Sequence, residues 1–511
     1  AIIGGMVGVS TPLSDDYLQV RINGDAALLK GWMKRLVARD RIDRAFVDAK
    51  TEGFAELVAA VNAVSWEDIE QQSGLSRQQI ETTGDRIADA DRIIACWAMG
   101  LTQHKSAVNT IRDVVNVILM RGSVGKPGAG LCPVRGHSNV QGDRTMGVTE
   151  KPAPWLLEKL ASEFGFSPPT APGFDTVESI RAMHDGRAKV FFALGGNFLQ
   201  ATPDTEFTAA ALRKCNLTVQ VSIKLNRSHL VTGRTALILP CLARTDRDVQ
   251  ASGEQFVTTE NSMGIVQQSR GRLEPVSKHM LSEPMIVARL AAAVLGTKSK
   301  VPWVELAGNY DRIRDRIQKV IPGFDDFNAK VRKPGGFYLP NKPRSGEFST
   351  SSGKARFTVS PLPTDSVRPG ELVMMTIRTH DQFNTTVYGL DDRYRGILGE
   401  RRVVLMNTAD IAERGLKPND VVDLTNTDAA GTRVAKRFLV VEYDIPKGNC
   451  ATYFPETNVL VPLARVADGS RTPTSKYVPI TVAKSAGGWR NSTGSSTSSA
   501  SPSSHTIVWP G

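Results

Sequence analysis

The glycine-rich segment GAGLCPVRGHSNVQGDRTMG, residues 128–147, carries the side chains best suited to chemistry. Arg135 and His137 stand two positions apart in it. A guanidinium can hold a carboxylate through two parallel hydrogen bonds, and an imidazole can accept a proton near neutral pH. Few apolar residues and many glycines disfavour both a core strand and a stable helix. The sequence therefore predicts a loop that presents Arg135, His137, Asn139 and Gln141 to a ligand.

The same side chains also have purely structural interpretations. Arg135 could fix the loop by donating hydrogen bonds to backbone carbonyls, and His137 could simply hydrogen-bond within the loop. Cys132 lies three residues before Arg135, and a thiol beside a cation could act as a nucleophile. No second histidine in the segment completes such a site, so the nucleophile is the weaker alternative.

Two further polar clusters follow apolar runs. The Gly195-Gly196-Asn197 turn follows KVFFAL, and glycines at such a turn let backbone N–H groups approach a phosphate closely. The cluster THDQFN at 379–384 sets His380, Asp381, Gln382 and Asn384 at a strand end, where they could contact a heterocyclic ligand. Either cluster could equally be an ordinary turn whose polar groups bond to one another.

Length and charge exclude several classes of protein. A chain of 511 residues is too long for one hydrophobic core and predicts several domains. The formal charge of +11 is mixed with acidic residues, as in RDRIDR at 39–44, so no nucleic-acid partner is expected. No apolar run approaches the roughly 20 residues of a membrane span. The first residues are typical of the middle of a longer chain and not of a signal peptide.

The cysteines indicate a reducing environment. They stand far apart, at Cys96, Cys132, Cys215, Cys241 and Cys450. No CxxC pair occurs, so the sequence predicts neither a zinc site nor an iron–sulfur site of its own. We therefore expect reduced thiols in a cytoplasmic protein.

Strands and helices alternate through the first half of the chain. A short buried strand is predicted at 92–100 and an amphipathic helix at 105–121, closed by a glycine. A second unit follows, with strands at 189–196, 217–225 and 235–241 and a helix at 204–215 that Asp204 would cap. This alternation predicts an α/β fold with a parallel, doubly wound sheet.

The pattern changes in the second half. From 298 to 369 it weakens into a segment rich in Pro, Gly and Ser, which indicates a long connection. From 371 short strands follow one another, with one helix at 409–415, and predict a mostly β, barrel-like domain. The polar stretches 449–462 and 468–479 are interpreted as interruptions of this domain. A low-complexity tail at 485–504 predicts disorder to the end of the chain.

Particular stretches of sequence resemble a known family. These are LQVRINGDAALL at 18–29, AMGLTQH at 98–104, LMRGSVGKPGAGLCPVRGHSNVQGDRTMG at 119–147 and RTHDQFNTTVYG at 378–389. Together, and in this order, they resemble the molybdopterin oxidoreductases, and in particular the catalytic (alpha) subunit of formate dehydrogenase. The resemblance extends over about residues 1–484.

The resemblance implies an interleaved architecture of two dinucleotide-binding doubly wound α/β domains and a C-terminal double-psi β-barrel. The expected boundaries are 1–137 with 277–297 for the first α/β domain, 138–242 for the second, 243–276 with 298–369 for a remnant of the domain that carries the iron–sulfur cluster in relatives, 370–484 for the barrel and 485–511 for the tail.

The resemblance also implies a cofactor and an activity. The family holds molybdenum, or tungsten, between two molybdopterin guanine dinucleotides, and the metal centre carries the redox chemistry. The implied substrate is a small anion, formate, which is oxidised to carbon dioxide with transfer of two electrons. A redox partner or electron-acceptor subunit is implied as well. A [4Fe–4S] cluster is expected only in a full-length parent, because its ligands are absent from this sequence.

Individual residues take roles from the resemblance. Arg135 matches the arginine that orients formate beside the metal, and His137 lies in the same loop, so both are the expected catalytic residues. The residues expected to contact the cofactor are Asn23, Gly24, Asp25, Gly100, Gln103, Gly195, Gly196, Asn197, Arg378, His380, Gln382, Asn458 and Lys476. No residue of this sequence is expected to ligate the metal.

The sequence departs from the family in one respect. The family's N-terminal part, with the cluster motif and the Cys or selenocysteine that ligates the metal, has no counterpart here, and Cys132 does not match that ligand. Three alternatives therefore stay open. The substrate could differ from formate; the chain could bind the dinucleotide or a partner without turnover; or the chain could lack a stable fold by itself.

Overall fold

A buried helix organises the N-terminal region. The computed structural model describes residues 2–3, 14–137, 139–385 and 387–486. Up to residue 137 its helices are α1 (Asp25–Ala38), α2 (Arg44–Lys50), α3 (Phe54–Ala63), α4 (Trp66–Ser73), α5 (Arg77–Asp89), α6 (Met99–Thr102) and α7 (Ala107–Met120). Strong helix formers fill α1, and Leu28, Met33 and Leu36 bury it against α4, α5 and α7.

An ion pair crosses this core. The Lys30 ammonium of α1 lies 3.0 Å from the Asp113 carboxylate of α7, and both side chains are almost fully buried. Burial raises the pKa of Asp113 to about 6, although the Lys30 charge opposes that shift. The pair therefore fixes α1 against α7.

Short strands accompany these helices: β1 (Ile2–Ile3), β2 (Tyr17–Leu18), β3 (Thr51–Glu52), β4 (Ile94–Trp97) and β5 (Gly130–Pro133). The parallel pairing of β4 with β5 corrects two sequence predictions. The segment 128–147 is not wholly a loop, because it contains β5 and, further on, a short helix. The strand predicted at 92–100 is shorter and less buried than expected, with Ile94 56% exposed.

The second α/β unit matches its prediction closely. Helices α8 (Val140–Thr145), α9 (Pro154–Phe164), α10 (Thr176–His184), α11 (Phe198–Ala201) and α12 (Thr205–Arg213) accompany strands β6 (Val190–Leu194), β7 (Leu217–Ser222) and β8 (Thr235–Pro240). The strands form a parallel sheet in the order β6-β7-β8. Asp204 stands at the N-cap of α12 but does not cap it. Its carboxylate instead binds Arg433, 2.7 Å away.

The region from 243 to 369 is more ordered than its composition predicts. Its strands are β9 (Val249–Gln250), β10 (Gly253–Glu254), β11 (Val257–Glu260), β12 (Ile265–Ser269), β13 (Phe337–Tyr338) and β14 (Ala355–Arg356). Its helices are α13 (Glu283–Leu295), α14 (Trp303–Ala307), α15 (Tyr310–Val320) and α16 (Phe327–Val331). Packed aromatic rings of Phe324, Phe327 and Phe337 supply the core that the sequence pattern did not reveal.

Two packing relations bear on the expected domain boundaries. Strand β14 pairs with β3, and Ala355 and Phe357 join the core of the N-terminal region. Ile286 of α13 clusters with Val221 and Cys241, beside the β6-β7-β8 sheet. The boundaries given by the resemblance stay predictions.

A closed barrel ends the described chain. Its strands β15 (Leu372–Ile377), β16 (Val403–Met406), β17 (Val421–Asp428), β18 (Gly431–Glu442), β19 (Asn449–Tyr453) and β20 (Val478–Lys484) run in the order β15-β19-β16-β18-β17-β20. Helix α17 (Thr408–Glu413) follows β16. The barrel is confirmed, but β19 lies in a stretch that was wrongly interpreted as a polar interruption.

Single-turn 3₁₀ helices occur at Arg227–Leu230, Gly296–Lys298, Lys342–Ser345 and Asn458–Leu460. None of the helices that the structure describes is long and apolar enough to cross a membrane. The tail predicted to be disordered lies, from residue 487, outside the described residues.

Candidate functional site

A cavity of about 570 Å³ opens where β6, β7 and β8 end. Gly195 and Gly196 follow β6 directly, with φ angles of 74° and 79° that favour glycine. At Gly196 a Cβ atom would meet nothing within 4 Å, so the backbone faces open space. The cavity is also lined by Lys224, Arg227 and Arg244. A glycine turn among cations suits a phosphate-bearing ligand.

Asn197 lines this cavity, but its side chain bonds within the protein. Its amide N–H donates to Gln200 Oε1, at 3.1 Å, and its carbonyl accepts from Ser228 Oγ, at 2.7 Å. The buried side chain therefore ties the glycine turn to the 3₁₀ helix at Arg227–Leu230. This gives Asn197 a positioning role at the turn.

A smaller cavity, of about 120 Å³, lies between α6 and the barrel and holds two cations, Arg378 and Lys476. Lys476 Nζ donates to the Thr376 carbonyl. Burial, together with the charges of Arg378 and Arg395, lowers the pKa of Lys476 to about 7. Arg378 lies over the Phe454 ring, 5.0 Å from its centroid, and burial lowers its pKa as well. Two cations that repel each other in one cavity suit an anion.

Polar groups around the small cavity hold its walls together. Ser475 Oγ donates to Gln103 Oε1 at 2.8 Å, and the Lys476 backbone N–H donates to the Gln103 carbonyl. Asn458 donates to the Gln200 carbonyl at 2.6 Å and so joins the barrel to α11. Gly100 lies in α6, where its carbonyl is 2.7 Å from His104 Nε2.

The loop of Arg135 and His137 meets the barrel. His137 Nε2 lies 3.0 Å from Asn384 Nδ2, and its ring packs edge-on against Phe383. Partial burial lowers the pKa of His137, and the charges of Arg378 and Arg244 act in the same direction. The imidazole is therefore mainly neutral at pH 7 and able to accept a proton.

The Arg135 guanidinium remains exposed. Its Nε–H donates to Gln141 Oε1 at 3.1 Å, while its backbone N–H donates to Ser262 Oγ. Asn139 accepts a hydrogen bond from the Glu260 backbone N–H, and this bond anchors the loop to β11. Among the described residues the Arg135 side chain bonds only through Nε, so its Nη groups are available to a bound anion.

His380 and Gln382 differ in what they can offer a ligand. The His380 ring packs on Tyr394, with centroids 3.9 Å apart, and neither ring nitrogen has a hydrogen-bond partner among the described residues. The buried Asp392 carboxylate lies 3.6 Å from Nδ1 and can pair with that nitrogen, which leaves Nε2 for a ligand. Both ends of the Gln382 amide are instead used inside the protein, with Thr379, Asn384, Arg401 and Phe454.

The Asn23-Gly24-Asp25 turn lies at a third cavity, of about 680 Å³, whose lining includes Asn23. Asn23 has a φ of 69° and bonds to Asp365 and Ser106. At Gly24 a Cβ atom would come within 2.9 Å of the Arg21 and Gln72 carbonyls, so close packing explains this glycine. Burial raises the pKa of Asp25 to about 6.

The structure thus brings most of the expected residues together in three groups, at the glycine turn, at the α6–barrel cavity and at the Arg135 loop, and it leaves the Asn23-Gly24-Asp25 turn apart at its own cavity. Sequence reasoning missed Arg227 and Arg244 at the glycine turn. Their position could have indicated them, since they follow β7 and β8. Within the described residues no three His, Cys, Asp or Glu side chains are arranged to hold a metal ion.

The barrel corresponds to a known domain. Residues 372–479 match the molydopterin dinucleotide binding domain. The chain is 52% identical over 488 residues to an uncharacterized oxidoreductase of Mycobacterium tuberculosis, which covers 93% of this chain and 63% of that protein. It is 24% identical over 335 residues to the F420-dependent formate dehydrogenase subunit alpha of Methanocaldococcus jannaschii, covering 64% of this chain and 47% of that subunit.

A solved structure shows the same fold. Acetylene hydratase from Pelobacter acetylenicus superposes with a TM-score of 0.65 at 15% identity, over 94% of this chain and 73% of that protein. Fold and domain match together define a molybdopterin-dinucleotide-binding protein. The chain belongs to the molybdopterin oxidoreductase family. It spans about 63% of the length of the mycobacterial oxidoreductase.

The residues present fit such a dinucleotide. Phosphates need backbone N–H groups and cations, and the glycine turn supplies the first while Arg378 and Lys476 supply the second. The unbonded Nε2 of His380 can hydrogen-bond a heterocycle.

Proposed function

We propose that this chain is the cofactor-binding part of a molybdenum-dependent oxidoreductase that acts on a small anion, with formate as the first candidate. The contact between His137 and Asn384 carries the proposal, because it joins the Arg135 loop to the barrel that matches the dinucleotide-binding domain. The distant similarity to a formate dehydrogenase subunit supports formate as the candidate.

In this proposal Arg378, Lys476 and the Gly195-Gly196 turn hold bis(molybdopterin guanine dinucleotide). The bound metal centre supplies two-electron redox chemistry when present. Arg135 binds and orients the substrate carboxylate through its exposed guanidinium edge. His137, held neutral by partial burial and by two arginines, has its one lone pair at Nε2, where it accepts a hydrogen bond from the Asn384 Nδ2–H and is oriented by it. It accepts the proton that the substrate releases at this Nε2 when the Asn384 amide moves aside.

The test uses the full-length protein with formate and an artificial electron acceptor. Arg135→Ala is expected to raise KM for formate and to lower kcat/KM by about 10²-fold or more, since a charged hydrogen bond to the substrate is lost. Molybdenum content should stay unchanged. Arg144→Ala is the matched control, because Arg144 lies in the same segment and its side chain, within the described part of the chain, bonds only to the Val148 carbonyl. Equal kinetics for both variants would rule out the role of Arg135.

A chain that binds the cofactor without turnover is the second candidate. The absence of a metal-ligand cluster among the described residues favours it for this polypeptide taken alone. Molybdenum and pterin in the purified protein, with no turnover of formate or of related small anions, would select this candidate.

A further inference from the structure

Two cysteines face each other across neighbouring strands. In the parallel pair β4–β5, Cys96 is the register partner of Cys132, so both side chains leave the same face of the sheet. Both thiols are free; Cys96 is exposed and Cys132 is partly exposed. Partial burial raises the pKa of Cys96, and the neighbouring Cys132 raises it further. The register places the two thiols side by side on one face of the sheet.

The other three cysteines are placed differently. Cys215, Cys241 and Cys450 are buried in three separate hydrophobic clusters, and none is paired with another cysteine. All five positions lie within the described residues. A neighbouring thiol and access from solvent thus coincide, among the five described cysteines, at Cys96 and Cys132 alone.

We propose that Cys96 and Cys132 form a redox modification site that closes reversibly to a disulfide. Neighbouring strands lie about 4.8 Å apart, within the roughly 4.4–6.8 Å between Cα atoms that a disulfide spans. The oxidant is a low-molecular-weight disulfide such as oxidised glutathione. Each thiol loses its proton, one S–S bond forms in the protein, and the two electrons reduce the glutathione disulfide to two glutathione thiols.

The site lies at the base of the Arg135 loop. Directly after Cys132 and Pro133, the Val134 backbone N–H donates to the Trp97 carbonyl at 2.7 Å, and Arg135 follows. On the other strand, Cys96 precedes α6 by three residues. A disulfide here would therefore fasten the start of the Arg135 loop to the strand that leads into α6. Its formation is independent of the proposed function.

The test treats the full chain with oxidised glutathione, alkylates the remaining thiols and maps the digested protein by mass spectrometry. We expect a linked pair of peptides containing Cys96 and Cys132, two hydrogens lighter than the free peptides together, and a loss of two of the five thiols on titration. Dithiothreitol should restore both thiols.

Variants separate this result from incidental oxidation. Cys96→Ser should abolish the linked peptide and leave glutathione on Cys132, whereas Cys215→Ser, the control at a buried thiol, should keep the link. Wild-type protein in which both peptides are recovered alkylated, or carry glutathione without a link, would overturn the proposal. A disulfide-linked dimer on a non-reducing gel would overturn it as well.

Discussion

Lys476 shows how a single buried charge can report on ligand binding. Its pKa of about 7, against an ordinary value of 10.5, reflects burial and two neighbouring arginines. An anion in the cavity would favour the charged ammonium and raise that pKa. Binding of an anion should therefore take up a proton and weaken as the pH rises above 7.

We predict that sulfate, whose charge is constant in this range, binds roughly tenfold more weakly at pH 8.5 than at pH 6, as measured by titration calorimetry. Lys476→Met should bind sulfate weakly and without this pH dependence. Lys447→Met, at an exposed lysine of the barrel, should behave as wild type. A wild-type affinity independent of pH would contradict the charge state inferred for Lys476.

The free energy of unfolding should change with pH in the opposite direction to anion binding. Between pH 7 and 10.5 the unfolded chain holds a proton on Lys476 that the folded chain has released. Without a bound anion, this group should therefore make the free energy of unfolding rise with pH across that window. Urea unfolding at several pH values, compared with Lys476→Met, isolates the contribution.

At the scale of elements, the glycine turn after β6 can need glycine for two reasons: its left-handed backbone conformation and the space that a ligand occupies beside it. A comparison of two glycines separates these reasons. Gly196 and Gly186 have nearly equal φ angles, 79° and 77°, and neither would meet an atom within 4 Å of an added Cβ. Alanine at either position should cost about 1–2 kcal/mol for the left-handed conformation alone. The two glycines differ in that Gly196 lines the cavity.

We predict that Gly196→Ala lowers the amount of pterin that copurifies with the protein severalfold, because its methyl group would occupy space that a phosphate needs. Gly186→Ala should lower the thermal midpoint by a similar amount without loss of pterin. Equal pterin contents in the two variants would show that the turn does not contact the cofactor.

Elements with a strong apolar pattern were predictable, and elements that depend on tertiary partners were not. Strands β6 (VFFAL) and most of β8 (TALILP) are apolar runs, and β7 (LTVQVS) alternates apolar with polar residues. Their positions and parallel pairing therefore follow from the sequence pattern. β19, with sequence NCATY, contains few residues typical of strands and becomes one because it pairs with β15 and β16 inside the barrel.

The site residues divide in the same way, into those that the sequence pattern predicts and those whose role depends on distant partners. The phosphate interpretation of Gly195 and Gly196 needed only a strand followed by glycines, and the cavity at that turn agrees with it. The sequence could not reveal that the side chains of Asn197 and Gln382 bond inside the protein, because their partners Ser228 and Arg401 lie far along the chain. That a side chain is polar does not by itself show whether it contacts a ligand or forms a hydrogen bond that holds the protein's own structure.

At the scale of the whole molecule, a few polar contacts attach the barrel to the second α/β unit. Arg433 of β18 binds the Asp204 carboxylate at 2.7 Å, and each side chain of this pair is only 10% exposed. On the exposed side, Arg471 pairs with Asp175 at the start of α10. The α6–barrel cavity lies beside the same junction, since Asn458 accepts the Asp204 backbone N–H at its carbonyl.

We predict that Arg433→Met destabilises the protein by about 3–5 kcal/mol, because it leaves Asp204 buried without its partner. The readout is the shift in urea midpoint followed by circular dichroism. The double variant Arg433→Met with Asp204→Leu should recover much of the loss, since the one carboxylate left without its arginine, Asp428, is 32% exposed and can be solvated. Lys447→Met removes an exposed pair with Glu413 and should cost less than about 1 kcal/mol. Equal midpoints for Arg433→Met and Lys447→Met would mean that the buried pair does not hold the barrel to α12, and the junction would then depend on apolar contacts such as Leu463 with Leu212.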